Sequence, residues 1–400
     1  MSPPCRWRSV LVFLSPLLSA LCGASWMAPV HWLGPALSPL MILFVLRQDR
    51  RWMRFAVALS YYAAGSIGLL RGVSVFFGQH APVWEGAFLW LGSATLLSMG
   101  WTFANRSWKA LLVLLFDALI PPLSFFDWLS PLASLGVLFP GAGNPGALVI
   151  GLVLLVVLWW EYSLWTSIAV IAGLCNLAVL VQPVAKAWQP AKAPPGWTGV
   201  HLDVGPGKVS LAYTLQRRVD IIRQTLAKSK GAKVLLLPET LETAWLGNEW
   251  QIQQSIPPGQ TWLVGFSVPR KPGLMTDSIV ALRHSGKPHI LFNSTFPVPV
   301  SMWHPWSRGT GYVRSQNVGY EAAWWTPAKK IDGVQTWASI CYDQLLPFVW
   351  LEGIVQHPQV VLLTNNEWWA QGTGIPTIQR NTAWAWGRLM GVPEIEAENA

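Results

Sequence analysis

One asymmetry constrains this chain more than any other: up to Gln182 it is nearly free of charge, and beyond Gln182 it is not. Of the 28 Lys or Arg and 19 Asp or Glu in its 400 residues, the first part holds only Arg6, Arg8, Arg47, Arg50, Arg51, Arg54, Arg71, Arg106, Lys109, Asp49, Glu85, Asp117, Asp127 and Glu161. Between them lie apolar stretches of the length that crosses a bilayer as helix, because hydrocarbon leaves backbone N–H and C=O groups no partner outside their own helix. Seven such stretches are expected, near residues 9–24, 28–46, 54–77, 85–104, 109–126, 146–160 and 163–181. The Pro- and Gly-rich stretch 127–145 reads as a short re-entrant or surface segment. The first stretch reads as a span and not as a signal peptide, since no small-residue cleavage site precedes a soluble domain.

Basic residues that flank spans stay preferentially on the cytoplasmic side. Arg6 and Arg8, then Arg47, Arg50, Arg51 and Arg54, then Arg106 and Lys109 fall on alternate connections, whereas SWMAPVHW and QHAPVWE carry no Lys or Arg. Seven spans that start inside place the rest of the chain outside, which in a bacterial inner membrane is the periplasm. Many of the 27 Trp stand near span ends, where an indole sits half in lipid and half in water. Arg71 and Asp117 fall inside spans, where a charge is either functional or, for Arg71 near an end, snorkelling to the interface.

The net charge of +9 is spread along the chain with no basic block, so no nucleic-acid partner is expected. Cys5, Cys22 and Cys175 lie in or beside the apolar part and read as small hydrophobes; only Cys341 belongs to the polar part. No CxxC and no His/Cys cluster at ligand spacing is present, so neither a disulfide framework, a metal site nor a cofactor is expected.

The expected organisation is a membrane domain over 1–182, a Pro- and Ala-rich linker over 183–196 and an α/β domain over 197–400. WTGVHLDV, KVLLLPE, TWLVGFSV, DSIVALRH, VQTWASICY and QVVLLTNN read as strands. Leu215, Val219, Ile222 and Leu226 recur at helical spacing, and further helices are expected around 348–356 and 375–390. Two residues close strands, where α/β domains place their chemistry: Glu239 after VLLLP and Cys341 after WASI. A thiol attacks only as a thiolate, so a nucleophilic Cys341 needs a base, which Glu239 could be, and donors for the oxyanion. The plain alternative is that Glu239 caps a helix and Cys341 fills the core.

The order and spacing of LLLPET, TDSIVAL, ICYDQLL and LLTNNEWW, with Glu239 and Cys341 standing 102 positions apart, resemble apolipoprotein N-acyltransferase and the wider carbon-nitrogen hydrolase (nitrilase) superfamily. PVPVSMWHPW is similar to a conjugative-plasmid branch of that family. The resemblance implies a multi-span membrane domain followed by an αββα sandwich, here without its last strands and without a C-terminal span. It makes Glu239 the general base, Cys341 the nucleophile of a thioester intermediate, the Tyr342 backbone N–H an oxyanion donor and Asp343 an orienting acid. It also calls for a lysine where this chain has Ser294. No Lys or Arg lies between Lys287 and Arg308, and Met302 stands near the place of a second family acid.

Two functions follow from this. One is a membrane-anchored acyltransferase or amidase that draws acyl chains from the lipid surface, with Trp303, Trp306, Trp324, Trp325, Trp368 and Trp369 lining an apolar entrance; core packing is the other reading of those indoles. The second is a non-catalytic membrane protein that supports conjugation by binding an envelope or conjugation-machinery partner.

Overall fold

The structure is a computed structural model and describes residues 6–76, 83–143, 191–206, 211–241, 249–303 and 319–399. The chain divides into two compact units. One comprises Met1–Pro190 with Leu345–Phe348 and Gly372–Gly391; the other comprises Ala191–Gln344 with Val349–Gln371 and Val392–Ala400.

In the first unit the apolar stretches form helices over Arg6–Ala24, Leu33–Leu46, Arg51–Gly65, Leu69–Phe76, Val83–Trp101 and Ser107–Leu119. Among the described residues no single helix is long and apolar enough to cross a membrane; Arg51–Gly65 and Leu69–Phe76 meet that measure together, across a 47° bend. The stretches expected over 146–160 and 163–181 lie outside the described residues. Small residues allow close packing at the bend. A Cβ on Gly65 would come within 2.3 Å of Leu129 Cδ1, and one on Gly68 within 2.2 Å of the Thr373 carbonyl oxygen.

The buried Arg54 guanidinium donates to the carbonyls of Gln48 (2.8 Å), Asp49 (3.1 Å) and Thr102 (3.0 Å), so the connections 47–50 and 102–106 meet at one end of the unit. Arg71 is exposed, while buried Asp117 accepts from Trp101 Nε1 at 3.0 Å. Of the stretch expected to be re-entrant or at the surface, residues 127–136 are buried and 137–143 are partly exposed. It ends in a short helix, Ser134–Leu138, packed on the helix Ile375–Met390 so closely that a Cβ on Gly136 would lie 1.7 Å from the Ala385 oxygen. Asn381 of that same helix donates to the carbonyls of Trp26 (2.8 Å) and Ala28 (3.1 Å).

The second unit is built on two sheets. The strands β1 (Trp197–Gly199), β2 (Val234–Leu236), β3 (Thr261–Lys271), β4 (Leu274–Arg283) and β5 (His289–Asn293) lie side by side in that order, and β6 (Gly319–Tyr320) pairs with β4. The second sheet runs β10 (Glu394–Asn399), β9 (Val360–Asn366), β8 (Val334–Ile340) and β7 (Lys329–Ile331). Alternating residues of both sheets, among them Leu236, Leu263, Ile279, Phe292, Ile340, Leu362 and Ala397, form one apolar layer between them. The other face of the first sheet packs Leu235, Trp262 and Val264 against Ile221 and Ile252 from the helices Leu211–Lys228 and Glu249–Ser255. The helix Pro347–Val355 covers the second sheet, with Trp350 against Trp337 at 5.6 Å between ring centres. The layers are therefore helix, sheet, sheet, helix.

Two details depart from the sequence reading. The sheet does not stop at β9: residues 394–399 form β10, parallel to β9, with Ile395, Ala397 and Asn399 inward. The helix 211–228 forms, yet Leu215, Val219 and Leu226 are exposed, because its sheet-facing side carries Arg217, Arg218, Ile221 and Thr225.

Candidate active site

Glu239 follows β2 and is fixed by backbone before side chain. Leu237 N–H donates to the Leu263 carbonyl at 2.8 Å and Leu241 N–H to that of Gly265 at 3.0 Å, so the turn between them lies across β3. It can do so because residue 265 is glycine: a Cβ there would stand 2.3 Å from the Pro238 oxygen and 2.5 Å from Glu239 Cα. From the other sheet, Asn366 Nδ2 donates to the Glu239 carbonyl (3.1 Å) and to Thr240 Oγ1 (3.2 Å). The buried carboxyl then bonds to the thiol of Cys341 and to the carboxyl of Asp277, and the backbone N–H of Asn366 reaches it as well.

Cys341 directly follows β8 at φ 50°, a left-handed backbone that costs a residue with a Cβ about 1–2 kcal/mol. The chain turns there into the short helical turn Cys341–Leu345, which lifts the thiol out of the sheet. Two buried polar residues pin that turn. Asp343 Oδ2 accepts the N–H of Thr295 at 2.9 Å, its Oδ1 accepts that of Phe296 at 2.7 Å, and the Ser294 side chain donates to it too. Gln344 Nε2 donates to Asn365 Oδ1 at 2.7 Å and to the Ser339 carbonyl at 3.1 Å. Asp343, expected as an orienting acid, ties the turn to the loop 294–296. Ser294 lies beside Cys341's turn, but its hydroxyl serves Asp343, and Tyr342 is buried next to Cys341. Lys287 is exposed and precedes β5, whereas Ser294 follows it, so the two lie at opposite ends of that strand.

Among the described residues, the titratable groups acting on the thiol are all acids. Burial first, then Glu239, Asp277 and Glu367, push Cys341 well above the usual thiol range. Burial also raises Glu239, and it raises Asp277 well above the carboxylate range, with Glu239 the next cause. Burial lifts Asp343 to about 7 against the pull of its donors, and Glu352, which accepts from the Thr326 N–H and Thr295 Oγ1, to about 8.

Asp277 is a site residue that the sequence reading left inside the strand motif TDSIVAL. Its signal was weak: an acid in a strand reads as solvent-facing until its partner on another strand is known. Among the expected entrance indoles, Trp303 and Trp324 gather on Phe296 at 4.8 and 5.4 Å, beside the loop that Asp343 holds. Trp325 is half exposed, Trp368 and Trp369 are part-buried, and Trp306 lies outside the described residues.

No protein-family model matches the chain. Conjugal transfer protein TraB of Agrobacterium fabrum (strain C58 / ATCC 33970) is 30% identical to it over 428 aligned positions, covering 98% of this chain and 93% of that protein. Probable conjugal transfer protein TraB of Sinorhizobium fredii (strain NBRC 101917 / NGR234) is 27% identical, covering 92% and 95%. Among solved structures, a carbon-nitrogen hydrolase from Helicobacter pylori G27 aligns with a TM-score of 0.36 and 14% identity over 51% of this chain and 73% of that one. A nitrilase-superfamily amidase from Nesterenkonia AN1 aligns with a TM-score of 0.31 and 15% identity over 43% and 67%.

Proposed function

Because the chain belongs to the family of conjugal transfer protein TraB, we propose that it is a plasmid-transfer protein of the bacterial inner membrane whose second unit is an acyltransferase or amidase-like enzyme. The observation that carries this is the bond between the Glu239 carboxyl and the Cys341 thiol, which two separate sheets bring together from distant parts of the sequence. In this reading Glu239 takes the thiol proton, the sulfur attacks an ester or amide carbonyl, and the leaving group departs with the proton from Glu239. The thioester on Cys341 is then opened by an amine or water, which gives its proton to Glu239. The Tyr342 N–H faces the developing oxyanion, and Asp343 holds the loop 294–296 against the turn.

A bilayer supplies the acyl donor, and the second unit lies on its periplasmic side. Support comes from Arg54, whose bonds to residues 48, 49 and 102 gather the connections that carry Arg47, Arg50 and Arg106 at one end, as alternating spans require. The aromatic group of Phe296, Trp303 and Trp324 beside the site suits an acyl chain.

A non-catalytic role in binding an envelope partner is the second reading, favoured by one observation: the buried thiol is surrounded by the acids Glu239, Asp277 and Glu367, and among the described residues no cation opposes them. Mass spectrometry of Cys341 in cells decides between the two. Acylation of wild type that is absent in Glu239→Ala and increased by Ser294→Lys, together with loss of plasmid transfer in Cys341→Ala, is the result expected of an enzyme. No acylation in any variant, with transfer unaffected by Cys341→Ala, overturns it.

A further inference from the structure

Asp277 is the buried group for which the reaction above has no use. We propose that Asp277 and Glu239 work as one carboxyl pair holding a single proton, with Asp277 the positioning residue that carries that proton and keeps Glu239 the base facing Cys341. The inference rests on the reading of Cys341 as a nucleophile and explains how that reading survives with no cation among the described residues of the site.

The geometry sets the pair. Asp277 lies on β4 opposite Ser267 of β3, two residues along β3 from Gly265, over which the Glu239 turn passes. Both carboxyls are buried and hydrogen-bonded to each other, and such a bond requires a proton between the two oxygens. Glu239 Oε2 and Asp277 Oδ1 are buried with no hydrogen-bond partner among the described residues, so a second negative charge on the pair would be poorly compensated. Among the described residues, the groups facing the pair are the Cys341 thiol after β8, the Tyr320 hydroxyl from β6 and Asp343 from the turn after Cys341, with Glu367 after β9 acting on the thiol. None is a base. Tyr320 is engaged with Ser267 at 2.8 Å. The Cys341 thiol and the Asn366 backbone N–H both bond to the Glu239 carboxyl, which makes Glu239 the acceptor of the pair and Asp277 the acid that holds the proton.

The charge then balances without lysine. Before reaction the pair carries one proton and one negative charge. The S–H bond breaks, an O–H bond forms on Glu239, and the same single charge now sits on sulfur beside two neutral carboxyls. When the tetrahedral intermediate collapses, Glu239 passes its proton to the leaving group and the pair returns to one proton. With both acids ionised, the thiolate would instead form against a carboxylate that remains charged.

The test is alkylation of Cys341 by iodoacetamide in the purified full chain, read by mass spectrometry across pH. Asp277→Asn puts a permanently neutral donor at the same place. Its alkylation above neutral pH should outrun wild type, roughly tenfold for each unit by which the thiol pKa falls, and its alkaline limb should begin at lower pH. Asp277→Ala leaves Glu239 without its donor and should react on the order of tenfold more slowly at neutral pH. Equal rates for Asn and Ala overturn the pair. If Asp277→Ala does not fold, an Asp277→Asn limb that coincides with wild type overturns it alone. Glu239→Gln separates the premise: no effect of that substitution on alkylation sinks the nucleophile reading itself, whereas slow Glu239→Gln with equal Asn and Ala sinks only the proton-carrying role of Asp277.

Discussion

Glu352 and Asp343 are single residues on which the loop beside the thiol hangs, and both titrate where stability can be measured. Their folded pKa values, about 8 and about 7, lie above the ordinary carboxylate range because both are buried. The folded state therefore binds more protons than the unfolded chain between pH ~4 and those values. The stabilisation is complete at low pH and is lost as pH rises, by about 1.4 kcal/mol per unit for each acid until its folded pKa is passed. Glu352→Gln keeps an oxygen for the Thr326 N–H and removes one titration. Its thermal midpoint should exceed wild type at pH 8.5 and depend less on pH between 5 and 8.5; a wild-type slope in the variant refutes this. Cys341 offers a second test, since its φ of 50° suits glycine. Cys341→Gly should unfold at higher temperature than Cys341→Ala by the equivalent of about 1 kcal/mol, although both lack the thiol. Cys341 and Glu239 were legible in the sequence because each stands at a strand end, a local signal. Asp277 was not, because its meaning depends on a partner 38 positions away that only sheet order brings near.

Among the elements, β3 governs the site through a residue that meets no reactant. Gly265→Ala sets a Cβ against backbone atoms of Pro238 and Glu239, which cannot rotate away. We expect a loss of about 1–3 kcal/mol in thermal unfolding together with slower iodoacetamide labelling of Cys341, as the Glu239 turn is pushed off the strand. Labelling at the wild-type rate would show that the turn yields elsewhere. The long strands β3, β4, β8 and β9 and the helices 347–355 and 375–390 were readable from apolar runs and periodicity. The strand β10 was missed although it alternates Ile395, Ala397 and Asn399 inward, because Glu at the intervening places is a poor strand former. The helix 211–228 shows the limit of periodicity: the spacing of Leu215, Val219 and Leu226 established helix, while Arg217, bonded to the carbonyls of Leu241 and Gly205, decided which side turns inward.

For the whole molecule, the proposed topology has a direct measurement. Alkaline phosphatase fused after Ala193 should be active and the same enzyme fused after Arg50 inactive; the reverse pattern rejects the orientation. The charge asymmetry made two regions visible in the sequence, but the association of residues 372–391 with the first unit depends on close approaches such as Gly136 on Ala385, which leave no local pattern. The Arg54 clamp has a consequence in time. Its acceptors at Gln48 and Asp49 precede it, but the third, at Thr102, is made 48 residues later. During synthesis the guanidinium must wait, partly satisfied, until the helix Val83–Trp101 has been completed. The first helices therefore assemble provisionally, and the end that gathers the arginines closes only when the fifth arrives.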